Sequence, residues 1–185
     1  GDWLSGRYEA LADKNVLIIG HGGIGKALER RLAGFEVEIA RVARGGRTLA
    51  DGTVVYTLAH LPELLPGADV VVLTVPLNDA TRALVDAEFL ATMKPGALLV
   101  NVARGPVVVT DDLVEAVRSG RVRAALDVTD PEPLPSDHPL WSLPGVLISP
   151  HVGGNTSAFL PRARRLVAQQ LDRWVAGETL AHRAN

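Results

Sequence analysis

The sequence predicts an α/β fold, a doubly wound parallel sheet with helices on its faces. Three observations predict it. Short apolar runs rich in Val and Leu alternate with stretches of helical spacing from about Val16 onward. Three of those runs are nearly continuous, as expected of parallel strands buried on both faces. The first run ends in a glycine-rich turn that opens a helix, the unit from which doubly wound sheets are built.

The first strand is expected in NVLIIG (Asn15–Gly20) and the first helix in GIGKALERRLAG (Gly23–Gly34), with Ile24, Ala27, Leu28 and Leu32 on one face. VEIARV (Val37–Val42) is the next strand, although Glu36 and Glu38 interrupt its apolar pattern. Further strands are expected in DVVVLTV (Asp69–Val75), GALLVNV (Gly96–Val102), VRAALDV (Val122–Val128) and GVLIS (Gly145–Ser149). Between them, DAEFLATM (Asp86–Met93) and TDDLVEAVRSG (Thr110–Gly120) have helical spacing, the second with Asp near its start and Gly at its end. The last long helix spans Ser157–Ala176, with Pro161 in its first turn. Asp130–Gly145 is a proline-rich loop, too long for a simple connection, and long loops in compact domains are often functional.

The chain has 185 residues, 47% of them hydrophobic, which suits one domain with a packed core. Its net charge of -2, with both signs interspersed, gives no general attraction to nucleic acid or anionic membrane. It contains no Cys, so disulfides, thiolate nucleophiles and Cys-ligated metals are excluded, and no metal-ligand spacing is present. No apolar run approaches a membrane span and no signal peptide opens the chain. The expected compartment is the cytoplasm. The first residue is Gly rather than Met, which reads as processing or truncation.

GHGGIG (Gly20–Gly25) matches G-x-G-x-x-G, so the sheet is expected to be of the Rossmann type that binds NAD(P). Gly20 permits the tight turn, Gly22 lets backbone approach a pyrophosphate, and Gly25 allows close helix–strand packing. The helix N-terminus then offers free N–H groups and a positive dipole end. His21 occupies a variable position and is expected to face solvent. The acid that holds a ribose 2′-hydroxyl is expected about 20 residues on, where this chain has Ala40, Arg41 and then Arg44. Guanidinium pairs with phosphate, which favours NADP(H) over NAD(H). The alternative is a solvated arginine face that Arg47 extends.

Ligands of open α/β sheets bind beyond the carboxyl ends of the strands. Arg104 follows LLVNV, Glu132 follows AALDV, and His151 follows VLIS. These three strands are expected to be neighbours, so an Arg, a Glu and a His can converge at one crevice.

At this point the sequence resembles the D-isomer-specific 2-hydroxyacid dehydrogenases. The resemblance rests on GHGGIG, VPLNDATRALV (Val75–Val85), MKPGALLVNVARGPVV (Met93–Val108), AALDVTDPEPLP (Ala124–Pro135) and HPLWSLPGVLISPHVGG (His138–Gly154). It implies that Arg104, Glu132 and His151 fall on catalytic positions. It also implies that Gly23, Ile24, Val75, Pro76, Thr81, Val102, Ala103, Asp127 and Gly153 lie near the cofactor, with Arg104 and His151 beside it. The chemistry suits these types. Reducing a 2-oxo acid needs hydride on the carbonyl carbon and a proton on its oxygen. His151 can give the proton, Glu132 can hold the imidazole, and Arg104 can bind the substrate carboxylate and polarise the ketone. Asp130 neighbours Glu132 as a candidate. Trp141 reads as a core or interface aromatic. His60, His138 and His182 have no partner pattern.

The family also has a substrate domain, formed mostly by sequence that precedes the nucleotide-binding half. Residues 1–185 are therefore expected to be a single dinucleotide-binding domain, with the N-terminal part of the substrate domain absent and Gly177–Asn185 a remnant of it. Such a chain is expected to bind cofactor but turn over little substrate. The resemblance further implies a homodimer, with Trp3 and Trp141 as candidates for its interface. Two other readings are a non-catalytic dinucleotide sensor or corepressor-like module, which would need only the glycine turn, and a methyltransferase, which would need neither NVARGP nor SPHVGG.

Overall fold

The computed structural model describes residues 9–181. In chain order the elements are β1 (Asn15–Ile19), α1 (Gly23–Leu32), β2 (Glu38–Val42), a ribbon of β3 (Arg47–Thr48) and β4 (Val54–Val55), α2 (Leu61–Leu64), β5 (Val70–Leu73), α3 (Ala87–Thr92), β6 (Ala97–Asn101), α4 (Thr110–Arg118), β7 (Val122–Leu126), β8 (Val146–Ile148) and α5 (Phe159–Val175). Six strands form one sheet in the order β2-β1-β5-β6-β7-β8, and every neighbouring pair is parallel. This is the doubly wound Rossmann-type arrangement that the alternation predicts. The order reverses between β1 and β5, which is where such sheets open a crevice for ligands.

The strand sequences follow from their places in the sheet. In β1, Leu17 and Ile19 enter the larger core cluster while Val16 and Ile18 enter the smaller one on the opposite face. A central strand covered on both faces needs an apolar residue at every position. Leu28 and Leu32 of α1 cover the smaller cluster, and Phe89, Leu90, Leu113, Val114 and Val117 from α3 and α4 cover the larger. β2 lies at the sheet edge, which is why it tolerates Glu38. The helix ends obey local rules as well. The Asp86 carboxylate caps α3 by accepting the Phe89 amide at 2.9 Å, and Gly120 takes a φ of 72° just after α4.

Several boundaries differ from expectation. Ile24 is expected on one face of α1 with Leu28 and Leu32, but those two pack on the smaller core cluster while Ile24, in the first turn, is 61% exposed. The ribbon of β3 and β4 was not foreseen, since two-residue strands carry no periodicity. Trp141 is half-exposed and therefore not a core residue, and its indole Nε1 donates to the Pro135 carbonyl at 2.8 Å. Trp3 and His182 lie outside the described residues, as do the last residues of Gly177–Asn185.

The chain divides into two compact units, the second beginning at Ser149. Within that second unit α5 begins at Phe159, two residues later than expected, after a turn in which the Phe159 amide donates to Thr156 at 3.0 Å. Pro161 sits in the first turn, where an amide has no intrahelical acceptor and its loss costs little. The helix ends at Val175, and Gly177, two residues on, has a φ of 70°. Among the described residues no helix is long and apolar enough to cross a membrane.

Candidate functional site

The glycine turn leaves β1 at the reversal point. Gly20 has a φ of 110°, and a Cβ there would lie 2.6 Å from the Thr74 carbonyl carbon. A Cβ on Gly25 would lie 2.1 Å from the Gly20 carbonyl oxygen. Both glycines are therefore required by protein packing. Gly22 and Gly23 differ, because a Cβ on either would meet nothing within 4 Å. Their openness faces no protein group and leaves room for a ligand's backbone contact. Gly22 is the N-cap of α1, no side chain caps the helix, and its first turn carries no acid. An uncapped N-terminus with open glycines is a site for an anion such as a pyrophosphate. The glycine turn thus fits a dinucleotide.

Neighbouring strands brace the turn. The Thr74 hydroxyl, just beyond β5, donates to Gly20 O at 2.6 Å, and the Thr74 amide donates to Ile19 O at 2.8 Å. His21 does not face solvent as expected. It is buried at 5% exposure, because Glu29 of α1 and Arg47 of β3 enclose it. Its Nε2 lies 2.6 Å from Glu29 Oε2, and Arg47 Nη2 lies 3.1 Å from its Nδ1. Arg41 Nε and Nη2 donate to Glu29 Oε1 at 2.8 and 2.6 Å, and Arg41 Nη1 donates to Ile39 O. Burial pushes the Glu29 carboxyl up, but the hydrogen bonds from Arg41 and His21 and the Arg41 charge outweigh it and hold Glu29 below its ordinary value. Arg44 and Arg47 are exposed beyond the end of β2. Arg41 is thus engaged by Glu29, whereas Arg47 is bonded to His21 while remaining exposed, and Arg44 is exposed.

The later strand ends carry the remaining candidates. Asn101, the last residue of β6, is buried, and it shapes the turn that presents Arg104. Its Oδ1 accepts the Ala103 amide at 3.0 Å and its Nδ2 donates to Arg104 O at 3.1 Å. Val102 and Arg104 are exposed, with Ala103 buried between them. Arg104 Nη1 donates to the Ala103 carbonyl at 2.6 Å. Asp127 directly follows β7, with its amide on Asn101 O at 3.0 Å. Glu132 is exposed in the loop that β7 leads into. The segments after β6 and β7 are packed together, since a Cβ on Gly105 would lie 1.8 Å from Thr129 O and the Thr110 hydroxyl donates to Asp130 O at 2.6 Å. Arg104 and Glu132 therefore sit on adjacent segments at one edge of the sheet.

After β5, Val75 is half-buried and Pro76 exposed. Thr81 is buried and organises this loop, its hydroxyl donating to Pro76 O at 2.6 Å and accepting the Asn78 amide at 2.9 Å. His151 and Gly153 belong to the second unit. His151 follows β8 by three residues and has a φ of 53°, a left-handed conformation that is uncommon outside glycine. His138 caps a short turn, its Nδ1 accepting the Leu140 amide at 3.3 Å. Among the described residues no group of three or more His, Asp or Glu is placed to hold a metal ion.

Asn101, Thr74, Glu29 and the buried role of His21 escape sequence reasoning. The one available signal is a polar residue at the close of an otherwise apolar run, at Asn101 as the last residue of β6 and at Thr74 just beyond β5.

Known proteins share this arrangement. The human glyoxylate reductase/hydroxypyruvate reductase is 38% identical over 180 residues, covering 96% of this chain and 54% of that protein. A D-isomer specific 2-hydroxyacid dehydrogenase from Xanthobacter autotrophicus Py2, solved with NADPH and MES, superposes with a TM-score of 0.85 at 34% identity, over 99% of this chain and 75% of that one. An NADPH-dependent glyoxylate/hydroxypyruvate reductase from Sinorhizobium meliloti, solved with NADP and sulfate, superposes with a TM-score of 0.86 at 28% identity, over 100% of this chain and 59% of that one. The chain spans about half the length of the curated relatives it matches. Residues 1–153 match the sequence profile described as "D-isomer specific 2-hydroxyacid dehydrogenase, NAD binding domain". With the parallel sheet and glycine turn in place, the chain belongs to the D-isomer specific 2-hydroxyacid dehydrogenase family and carries its NAD-binding domain.

Proposed function

We propose that this chain binds a nicotinamide dinucleotide, NADP(H) in preference to NAD(H), and serves the interconversion of a small 2-oxo acid and its D-2-hydroxy acid. The observation that carries the reading is the open cradle of Gly22 and Gly23 at the uncapped N-terminus of α1, with exposed Arg44 and Arg47 at the end of β2. No carboxylate stands between Val42 and Thr48 to accept a ribose hydroxyl or repel a 2′-phosphate. The relatives solved with NADPH or NADP support the same preference.

The α1 amides and dipole bind the pyrophosphate. Arg44 and Arg47 meet the 2′-phosphate with charge-assisted hydrogen bonds. When bound, the reduced nicotinamide supplies the hydride. Arg104 binds the substrate carboxylate and polarises the ketone. His151 takes the proton-donor role and Glu132 the carboxylate role that the family resemblance implies. Val75, Pro76, Thr81, Val102, Ala103 and Asp127 line the cofactor's path, and Asn101 fixes the turn that carries Arg104.

Isothermal titration with NADPH and NADH tests the preference. NADPH is expected to bind about a hundredfold more tightly or better, and Arg44→Ala combined with Arg47→Ala should bring the two affinities together. Equal affinities in the unsubstituted chain would defeat the preference, and binding of neither would defeat the cofactor assignment.

A further inference from the structure

We propose that His21, inside the glycine turn, is a positioning residue for cofactor selection: its ring holds the Arg47 guanidinium where a phosphate on the adenosine 2′-oxygen arrives, and Glu29 fixes the ring. The proposal rests on the reading that the site takes a 2′-phosphorylated dinucleotide.

The hydrogen-bond chemistry assigns each role. A guanidinium can only donate, so the 3.1 Å contact from Arg47 Nη2 makes Nδ1 of His21 the acceptor. The ring proton then sits on Nε2 and points at Glu29 Oε2, 2.6 Å away. Both ring nitrogens are thereby used, and burial of the ring holds it in this orientation. Arg47 Nη2 also donates to His21 O at 3.3 Å, and Nη1 to Gly45 O at 3.3 Å. These bonds leave Nε–H and one Nη1–H for a ligand.

The ribbon that carries Arg47 is held against β2. The Ala43 amide donates to Tyr56 O at 2.9 Å, and the Tyr56 amide donates to Arg41 O at 2.8 Å. Glu29 is itself anchored, because Arg41 donates twice to its other oxygen. The chain of contacts therefore runs from β2 through Glu29 and His21 to Arg47. An arginine held in advance loses less side-chain freedom when it meets its phosphate. A bare 2′-hydroxyl offers no phosphate to that guanidinium, so the device should act on the ratio of affinities rather than on binding as a whole.

The test measures dissociation constants of NADPH and NADH for the chain and its variants, read as the ratio of NADH to NADPH. Arg47→Ala, on the exposed ribbon, should lower the ratio by about ten- to a hundredfold. His21→Gln, which reaches Glu29 but loses the Nδ1 acceptor, should lower it by about three- to tenfold. His21→Asn, whose side-chain oxygen can replace Nδ1, should retain more of the ratio than His21→Gln. Combined with Arg47→Ala, His21→Gln should lower the ratio no further. An unchanged ratio in Arg47→Ala or in His21→Gln overturns the proposal, as does a further loss from His21→Gln once Arg47 is removed. If the unsubstituted chain prefers NADPH and either single variant leaves the ratio unchanged, the positioning role alone falls. If the unsubstituted chain shows no preference for NADPH, the cofactor reading falls with it.

Discussion

Two glycines three residues apart should fail in opposite ways when each becomes alanine. At Gly25 the new Cβ lies 2.1 Å from the Gly20 carbonyl oxygen and 3.1 Å from its carbon, both backbone atoms that cannot rotate away. Overpacking of this kind costs up to about 3 kcal/mol. The better helix propensity of alanine returns about 1 kcal/mol. The net loss of about 2 kcal/mol lowers the melting temperature by roughly 4–8 °C in a chain of this size. At Gly22 the Cβ meets nothing within 4 Å, and the backbone angles of -89° and -154° are extended. Losing glycine at the N-cap costs up to about 1 kcal/mol, and the stiffer unfolded chain returns ~0.4–1 kcal/mol. Gly22→Ala should therefore melt within about 3 °C of the unsubstituted chain. On the proposed cofactor reading, however, its methyl group would occupy the pyrophosphate's space, and loss of one charge-assisted hydrogen bond would weaken binding by about ten- to a hundredfold. Thermal unfolding by circular dichroism, paired with NADPH titration by nucleotide fluorescence, reads both effects. Undiminished NADPH affinity in Gly22→Ala would refute the assignment of the cradle. An unchanged melting temperature in Gly25→Ala would refute the packing argument.

Other substitutions separate presentation from chemistry. Asn101→Ala strands the buried Ala103 amide and the Arg104 carbonyl, and should cost about 1–3 kcal/mol in denaturant titrations. Arg104→Ala removes an exposed side chain and should change stability by less than about 0.5 kcal/mol, while lowering any reduction of a 2-oxo acid by about a hundredfold or more. Near-normal turnover with Arg104→Ala would remove it from the chemistry. Stability should also depend on acid. Glu29 and Asp69 both ionise below their ordinary values, Glu29 for the reasons above and Asp69 through Lys94 and the Asn15 amide. A carboxylate lowered on folding binds fewer protons folded than unfolded, so its contribution is full above the unfolded value near pH 4 and fades as pH falls through the folded value. Melting temperature should therefore fall below about pH 4. Asp69→Asn should make that fall shallower, and an identical acid profile would count against the linkage.

How much of this was legible in the sequence depends on range. The sheet was legible because β1 carries Val16 through Ile19 without a polar break, and only a strand covered on both faces needs that. The glycine turn was legible because Gly20 and Gly25 act through neighbours fixed by the strand–helix unit itself. The partners of His21 were not legible, since they lie 8 and 26 residues away on different elements. The spacing of about 20 residues pointed at Arg41, whereas the strand end lies one residue later and Arg41 is bound to Glu29. Asn101 was hidden for a related reason. Its work is to bond the two residues that follow Val102, and an asparagine at the end of a strand reads like any turn residue.

The central claim is that the open glycines and the N-terminus of α1 receive a dinucleotide. Amide chemical shifts of the isotopically labelled chain, followed while NADPH is added, test it most directly. The account predicts saturable shifts that are largest at Gly22, Gly23 and Ile24 and extend to Arg44 and Arg47. Saturation with those amides unmoved, or no saturation at all, would contradict it.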